Sequence, residues 1–229
     1  MVPTYSRRRP GLTVQRLSRL RASLISTETH SFAELKAHHR VLALARRRQL
    51  SPEAREVFAR RLVEEGLRLA GLWRPNAVSA FHPIRGEPDT LPLLAALARA
   101  GVATALPVTV SRSAPLKFRL WKPGELTVPG EMQIPEPAPE APEVQPQLLF
   151  VPLAAFDRRG HRIGFGAGHY DRTLALLRKS GPVHAVGVAF SVSEIEHAPN
   201  EAHDEPLDCI VTETELIAPR GFDLSEVAR

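Results

Sequence analysis

Apolar and polar positions along the chain alternate between two periods, one helical and one extended. Ser31 followed three residues later by Glu34 forms a capping box, and the run behind it predicts a helix to about Arg48. Ser51 and Pro52 supply an N-cap and a first helical position for a second helix, in which Phe58, Leu62 and Leu69 recur at helical spacing. "NAVSAFHPI" then reads as a short buried strand, "TLPLLAALARAG" as a helix stopped by Gly101, and "VATALPV" as another strand. A strand around "LKFRLW" leads to a segment holding Pro135, Pro137, Pro139, Pro142 and Pro146, which excludes helix and central strand and predicts a stiff surface connector. "QLLFVPLAAF" resumes as a strongly apolar strand and runs into a glycine-rich loop. "YDRTLALLRKSG" has the leucine spacing of a helix ending at Gly181, and "VHAVGVAF" and "LDCIVT" close as strands.

Strands that alternate with helices predict an α/β fold: one domain, a three-layer sandwich, with a mostly parallel sheet covered by helices on both faces. The expected boundaries are an arginine-rich arm over 1–30, a folded domain over 31–217 and a tail over 218–229. The 229 residues and 43% hydrophobic content suit one sizeable core.

The net charge of +5 suggests a nucleic-acid binder until it is located. Residues 1–27 carry six arginines (Arg7, Arg8, Arg9, Arg16, Arg19 and Arg21) and no acid, so the remaining body is close to neutral. The basicity belongs to an arm that reads as flexible, which argues against a nucleic-acid partner and leaves import into an organelle open. Cys209, the single cysteine, lies in an apolar run and reads as a buried strand residue in a reducing compartment. No apolar run has the length of a bilayer crossing, so no membrane partner is expected and the location reads as cytoplasmic.

The stretch "RIGFGAGHYDR", residues 162–172, carries the candidate chemistry. Bare backbone between a strand and a helix start lets several N–H groups approach an anion, and the helix dipole adds to the attraction. The spacing is not the dinucleotide fingerprint, since His169 stands where glycine would be needed, and no Walker Gly-Lys-Ser/Thr follows. Arg162 and Arg172 bracket the loop with guanidinium groups suited to phosphate oxygens. Asp171 is a helix-start acid that can equally hold magnesium beside a polyphosphate.

The run "VPLAAFDRRGHRIGFGAGHYDR" resembles the signature of the 5-formyltetrahydrofolate cyclo-ligase family, with Pro152, Phe156, Asp157, Gly160, Arg162, Gly164, Gly166, Gly168, Tyr170 and Asp171 matching. The resemblance spans roughly residues 32–215 and implies the NagB/RpiA-like fold of that family. "KAHHR" supplies Lys36 and Arg40 where the family has a Lys-x-x-x-Arg helix touching ATP and substrate. On one helical face these like charges repel by about 0.2–0.5 kcal/mol unless an anion lies between them. "FHPIRGEPDT" places Glu87 where the family has a substrate-contacting glutamate, suited to the N–H donors on a pterin edge. "AHDEPLD" places Asp204 at the family's second magnesium-associated aspartate. Two positions depart from the pattern: His169 replaces a usual tyrosine, and Ser193 a frequent glutamine.

The resemblance implies an enzyme that cyclises 5-formyltetrahydrofolate to 5,10-methenyltetrahydrofolate with ATP as co-substrate and Mg2+ as cofactor, acting as a monomer on small molecules. Its catalytic residues would be Lys36, Arg162 and Asp171. ATP would meet Lys36, Arg40, Arg162, Ile163, Gly164, Phe165, Gly166, Ala167, Gly168, His169, Tyr170 and Asp171. Folate would meet Arg40, Phe81, Glu87, Trp121 and Tyr170, with Phe118 a further candidate for a pterin wall, and Asp171 and Asp204 would hold the metal. The alternatives are a paralogue that phosphorylates or ligates another small molecule, permitted by His169 and Ser193, and a basic nucleic-acid binder.

Overall fold

Helix starts follow the capping chemistry of the sequence. In the computed structural model, which describes residues 31–219, helix α1 runs Phe32–Arg48 and α2 runs Pro52–Trp73. The Ser51 side chain accepts a hydrogen bond from the Ala54 amide (3.2 Å), satisfying one of the donors that a helix start leaves unpaired. Helix α2 stops at Arg74, whose left-handed backbone (φ 45°) returns its amide to the Ala70 carbonyl. Helix α3 (Leu91–Arg99) is opened by the Asp89 carboxylate, which accepts from the Leu91 amide (3.0 Å), and α4 (His169–Ser180) begins directly after Gly168.

Among the described residues the strands run β1 (Ala77–Ser79), β2 (Ala103–Val108), β3 (Lys117–Leu120), β4 (Thr127–Pro129), β5 (Pro135–Pro137), β6 (Leu148–Pro152), β7 (Ala155–Phe156), β8 (Arg162–Ile163), β9 (His184–Val188), β10 (Cys209–Val211) and β11 (Leu216–Ile217). Seven of them form one sheet in the order β11-β10-β9-β6-β1-β2-β3. The inner pairs are parallel, and β11 and β3 close the two edges antiparallel. The predicted α/β class with a mostly parallel sheet is what the chain adopts.

Strand β6 shows why the middle of the sheet reads as an unbroken apolar run. Leu148 and Phe150 pack with Phe58, Leu62 and Leu69 of α2 and Leu93, Leu94 and Leu97 of α3, while Leu149 and Val151 pack on the other face with Leu174 and Leu177 of α4. Gly66 of α2 lets α3 come close, since a Cβ there would lie 2.4 Å from Leu93 Cδ1. Cys209 is buried in β10 as expected, and burial pushes its thiol pKa up.

Two expectations need correction. Part of the proline segment is an antiparallel ribbon, with Pro129 opposite Pro135 and Thr127 opposite Pro137. Proline is tolerated there because the ribbon is short and stands apart from the main sheet. The strand "QLLFVPLAAF" also breaks after Pro152: β7 and β8 form a hairpin of their own, so the glycine loop leaves a hairpin rather than the central strand. Asp157 makes that turn. Its buried carboxylate accepts from the amides of Arg159 (2.9 Å), His161 (3.1 Å) and Ala198 (3.0 Å). Burial alone would raise its pKa, but the Arg159 guanidinium and those amides outweigh it and hold the carboxyl below its usual range. The arginine-rich arm and the tail beyond residue 219 lie outside the described residues.

Strand order reverses between β1 and β6. The chain leaves β1 toward β2 and β3, then returns to β6 on the other side of β1 and proceeds to β9 and β10. Connections therefore part at the carboxyl ends of β1 and β6, which is where open α/β sheets leave a crevice for ligands.

Candidate functional site

The two loops at that crevice are the ones the sequence singled out: residues 80–90 after β1, and the hairpin with its glycine loop after β6. Gly166 (φ 97°) and Gly168 (φ 65°) have left-handed backbone, where any side chain is strained. Gly164 is different. A Cβ there would meet nothing within 4 Å, so packing does not demand its bareness and open space lies beside it. None of the amides of residues 164–168 donates to another described residue. A turn whose row of N–H groups before α4 no described residue engages has the chemistry of an anion cradle.

Helix α1 delivers the cations. Lys36, Arg40, Ala43 and Arg47 follow one another at intervals of four, three and four, which places them on one face, turned toward the hairpin and the acidic loop at 198–205. The Arg40 Nε donates to the Gly164 carbonyl (2.7 Å), and its Nη2 lies 3.6 Å from where a Gly166 Cβ would stand. Lys36 Nζ donates to Asp204 Oδ2 (2.7 Å) and Glu201 Oε2 (3.0 Å). Burial lowers the Lys36 pKa, but the two carboxylates outweigh it and keep the ammonium charged.

The arginines that bracket the loop behave differently from the reading of the sequence. Arg162 is buried, and its Nη2 donates to Asp171 Oδ1 (2.5 Å) while Nη1 donates to the Glu205 carbonyl. Arg172 donates to the carbonyls of Ala167 (2.8 Å) and Arg112 (2.9 Å). Both guanidinium groups brace protein rather than face the open loop, so a direct phosphate contact by Arg162 is not what this geometry favours. His169 Nε2 lies within hydrogen-bond reach of the Ser111 carbonyl (3.2 Å), and Ser193 is buried beneath the surface.

Asp171 Oδ1 also accepts from the Glu205 amide (3.2 Å), and Oδ2 has no hydrogen-bond partner among the described residues. Asp204 Oδ2 accepts from Lys36 and from the Glu201 amide (2.8 Å), and Arg162 feels the charge of both aspartates. The described residues contain no group of three or more His, Cys, Asp or Glu side chains placed to cage a metal. Magnesium on a triphosphate needs only one or two carboxylates and completes its shell with phosphate oxygens and water. Two acids flanking the loop fit that use.

On the other side of the crevice Glu87 is 7% exposed, with Oε2 accepting from the Ile84 amide (2.9 Å). Burial pushes its carboxyl up to about 7, against the pull of that amide and of Arg47 and Arg85. Tyr170 at the start of α4 is near enough to feel the charge of Glu87, and burial with that charge raises its phenol pKa. Phe81 lies at the end of β1 but packs into the core on the α2 and α3 side, whereas Phe118 is buried on the opposite face. Trp121 is at the wrong end of the sheet: its amide donates to the Thr104 carbonyl (2.8 Å) at the start of β2, beside a shallow cleft of about 330 Å³. The three aromatics do not form one wall, and Trp121 is withdrawn from the site. Arg47, Glu201 and Glu205 were not foreseen; for Arg47 the signal was its helical phase with Lys36 and Arg40.

Comparison with known proteins gives a consistent result. The model of the 5-formyltetrahydrofolate cyclo-ligase family matches residues 33–213. The 5-formyltetrahydrofolate cyclo-ligase of Escherichia coli K12 is 34% identical over 178 residues, covering 75% of this chain and 96% of its own. That of Mycolicibacterium smegmatis is 32% identical over 187 residues, covering 77% of this chain and 93% of its own. The solution structure of Aquifex aeolicus 5,10-methenyltetrahydrofolate synthetase superposes with a TM-score of 0.64 at 32% identity, over 81% of this chain and 93% of that one.

Proposed function

The chain belongs to the 5-formyltetrahydrofolate cyclo-ligase family, and from that premise we propose that it closes 5-formyltetrahydrofolate to 5,10-methenyltetrahydrofolate, with ATP as phosphoryl donor. An amide-type formyl oxygen is a poor leaving group. It first takes the γ-phosphoryl group and ADP leaves; N10 then attacks the activated carbon, loses its proton, and the carbon–oxygen bond breaks to release phosphate. Such a transfer asks the protein for alignment and for neutralisation of charge spread over phosphate oxygens.

The observation that carries this reading is the amide row of residues 164–168, unengaged by any described residue, with open space at Gly164 and the cations of α1 beside it. In the proposal those amides cradle phosphate, and Lys36 and Arg40 offset its charge. Arg162 acts by holding Asp171 in place. Asp171 and Asp204 would hold magnesium, which when bound neutralises triphosphate charge. Ile163, Phe165, Ala167 and His169 shape the nucleotide side. Glu87 accepts from the N–H donors of the folate ring, and Arg40, Phe81 and Tyr170 are assigned to the folate side with it. We take the protein to act as a monomer in the cytoplasm; no described helix is long and apolar enough to cross a membrane.

The test is direct. The full chain is mixed with 5-formyltetrahydrofolate, magnesium and ATP, and the near-ultraviolet absorbance of the methenyl product is followed. A rise that depends on both ATP and magnesium is expected. ADP release without that absorbance overturns the proposal in favour of a kinase acting on another small molecule.

A further inference from the structure

A cation that none of these roles uses lies buried behind the site. Arg47, in the last turn of α1, is 2% exposed. Its Nη2 donates to the Arg85 carbonyl (3.0 Å), while Nη1 is enclosed and has no hydrogen-bond partner among the described residues. The guanidinium lies 6.0 Å from the ring centre of Phe165 in the glycine loop. Arg55 of α2 completes a clamp, donating to the Gly86 carbonyl (2.8 Å) and to the Arg47 carbonyl (2.7 Å). The turn they grip is left-handed at Arg85 (φ 50°) and Gly86 (φ 74°), and Glu87 follows it directly.

Clamping a turn does not require a full charge in a dry place. Arg55 already secures Gly86 from a more exposed position, and a buried guanidinium with an idle donor is unfavourable unless an anion compensates it. The turn that Arg47 grips carries Glu87, whose charge it feels through space without a direct hydrogen bond. We propose that Arg47 is a positioning residue: through the Arg85 carbonyl it holds the turn at 84–87 from behind and so sets the orientation of Glu87 toward the folate ring. The inference rests on the assignment of Glu87 to folate made above.

The groups that act on Glu87 are Arg47 from α1 and Arg85 and the Ile84 amide from its own turn, while Tyr170 from α4 faces it as a neutral phenol that feels its charge. Burial raises the Glu87 pKa and the first three lower it, so loss of the Arg47 charge lets it climb further and leaves less carboxylate at neutral pH. Arg47→Gln removes the charge together with the long reach to the Arg85 carbonyl, and Arg47→Lys keeps the charge without the guanidinium fork.

Full-length R47Q, R47K, E87Q and R47Q/E87Q are assayed for kcat and KM between about pH 5.5 and 9. In the wild type, kcat/KM for 5-formyltetrahydrofolate is expected to rise through a limb near pH 7. R47Q moves that limb up by about one pH unit and raises the folate KM at pH 7 several-fold, with the ATP KM unchanged. R47K returns the limb to its place. E87Q abolishes it, and R47Q adds nothing in that background. A limb that stays put in a folded R47Q, or equal losses with and without Glu87, overturns the inference and leaves the cyclo-ligase reading intact. Should R47Q fail to fold, R47K decides: a limb at the wild-type position supports the role and a displaced one sinks it. A wild type with no turnover takes both readings down.

Discussion

Asp171 holds a buried arginine as well as its proposed place at the metal, so its neutralisation touches fold and chemistry together. Asp171→Asn should lower kcat about a hundredfold if it carries several kcal/mol of charge stabilisation. It should also cost about 1–3 kcal/mol of stability, because Arg162 loses its counter-ion. Turnover and urea denaturation on the same preparation separate the two effects, and an unchanged kcat would remove Asp171 from the metal site. Glu87 works the other way. Its folded pKa is raised, so its contribution is fully favourable below the unfolded value near 4.5 and is lost as pH rises to about 7. Glu87→Gln keeps the acceptor for the Ile84 amide and should melt a few degrees higher than wild type at pH 8, with no difference below about pH 4. Melting curves at the two pH values check this. Lys36, Arg40 and Glu87 became candidates through the family resemblance, since by charge and position alone they read as a solvated helix face and a loop acid. Arg47 was not singled out, because in "ARRRQL" nothing but helical phase distinguishes the arginine that turns inward.

The glycine loop allows its structural and chemical demands to be told apart. Gly160 (φ 90°) lies under the Leu207 carbonyl, where a Cβ would come within 2.7 Å, so Gly160→Ala should destabilise by about 2–4 kcal/mol. Gly164→Ala adds its methyl to open space and should leave stability within about 1 kcal/mol, while raising the ATP KM by intruding on the proposed cradle. Denaturation midpoints and nucleotide titrations on the pair provide the comparison; a Gly164→Ala enzyme with normal ATP affinity would argue against that placement. The helices were legible because capping residues and apolar spacing are local signals that tertiary contacts did not overrule. The β7–β8 hairpin was not, since two-residue strands give no period and its turn is fixed by Asp157 reaching to the distant Ala198 amide. The ribbon of β4 and β5 was hidden for a related reason: proline excludes a central strand but says nothing of a small separate pair.

For the molecule as a whole, alternating strands and helices announced a parallel sheet, yet no local pattern encodes the strand order or its reversal between β1 and β6. That reversal is what brings residue 87 opposite residue 170, and it explains why Trp121, attractive as an aromatic in the sequence, is excluded: β3 runs antiparallel and carries it to the far end. The turn proposed for the folate ring and the loop proposed for phosphate are thus supplied by opposite sides of one strand boundary, and each is braced by its own arginines. On that assignment the first can be redrawn for a different small molecule while the second stays intact, which exchanges the organic partner and keeps the same way of activating it.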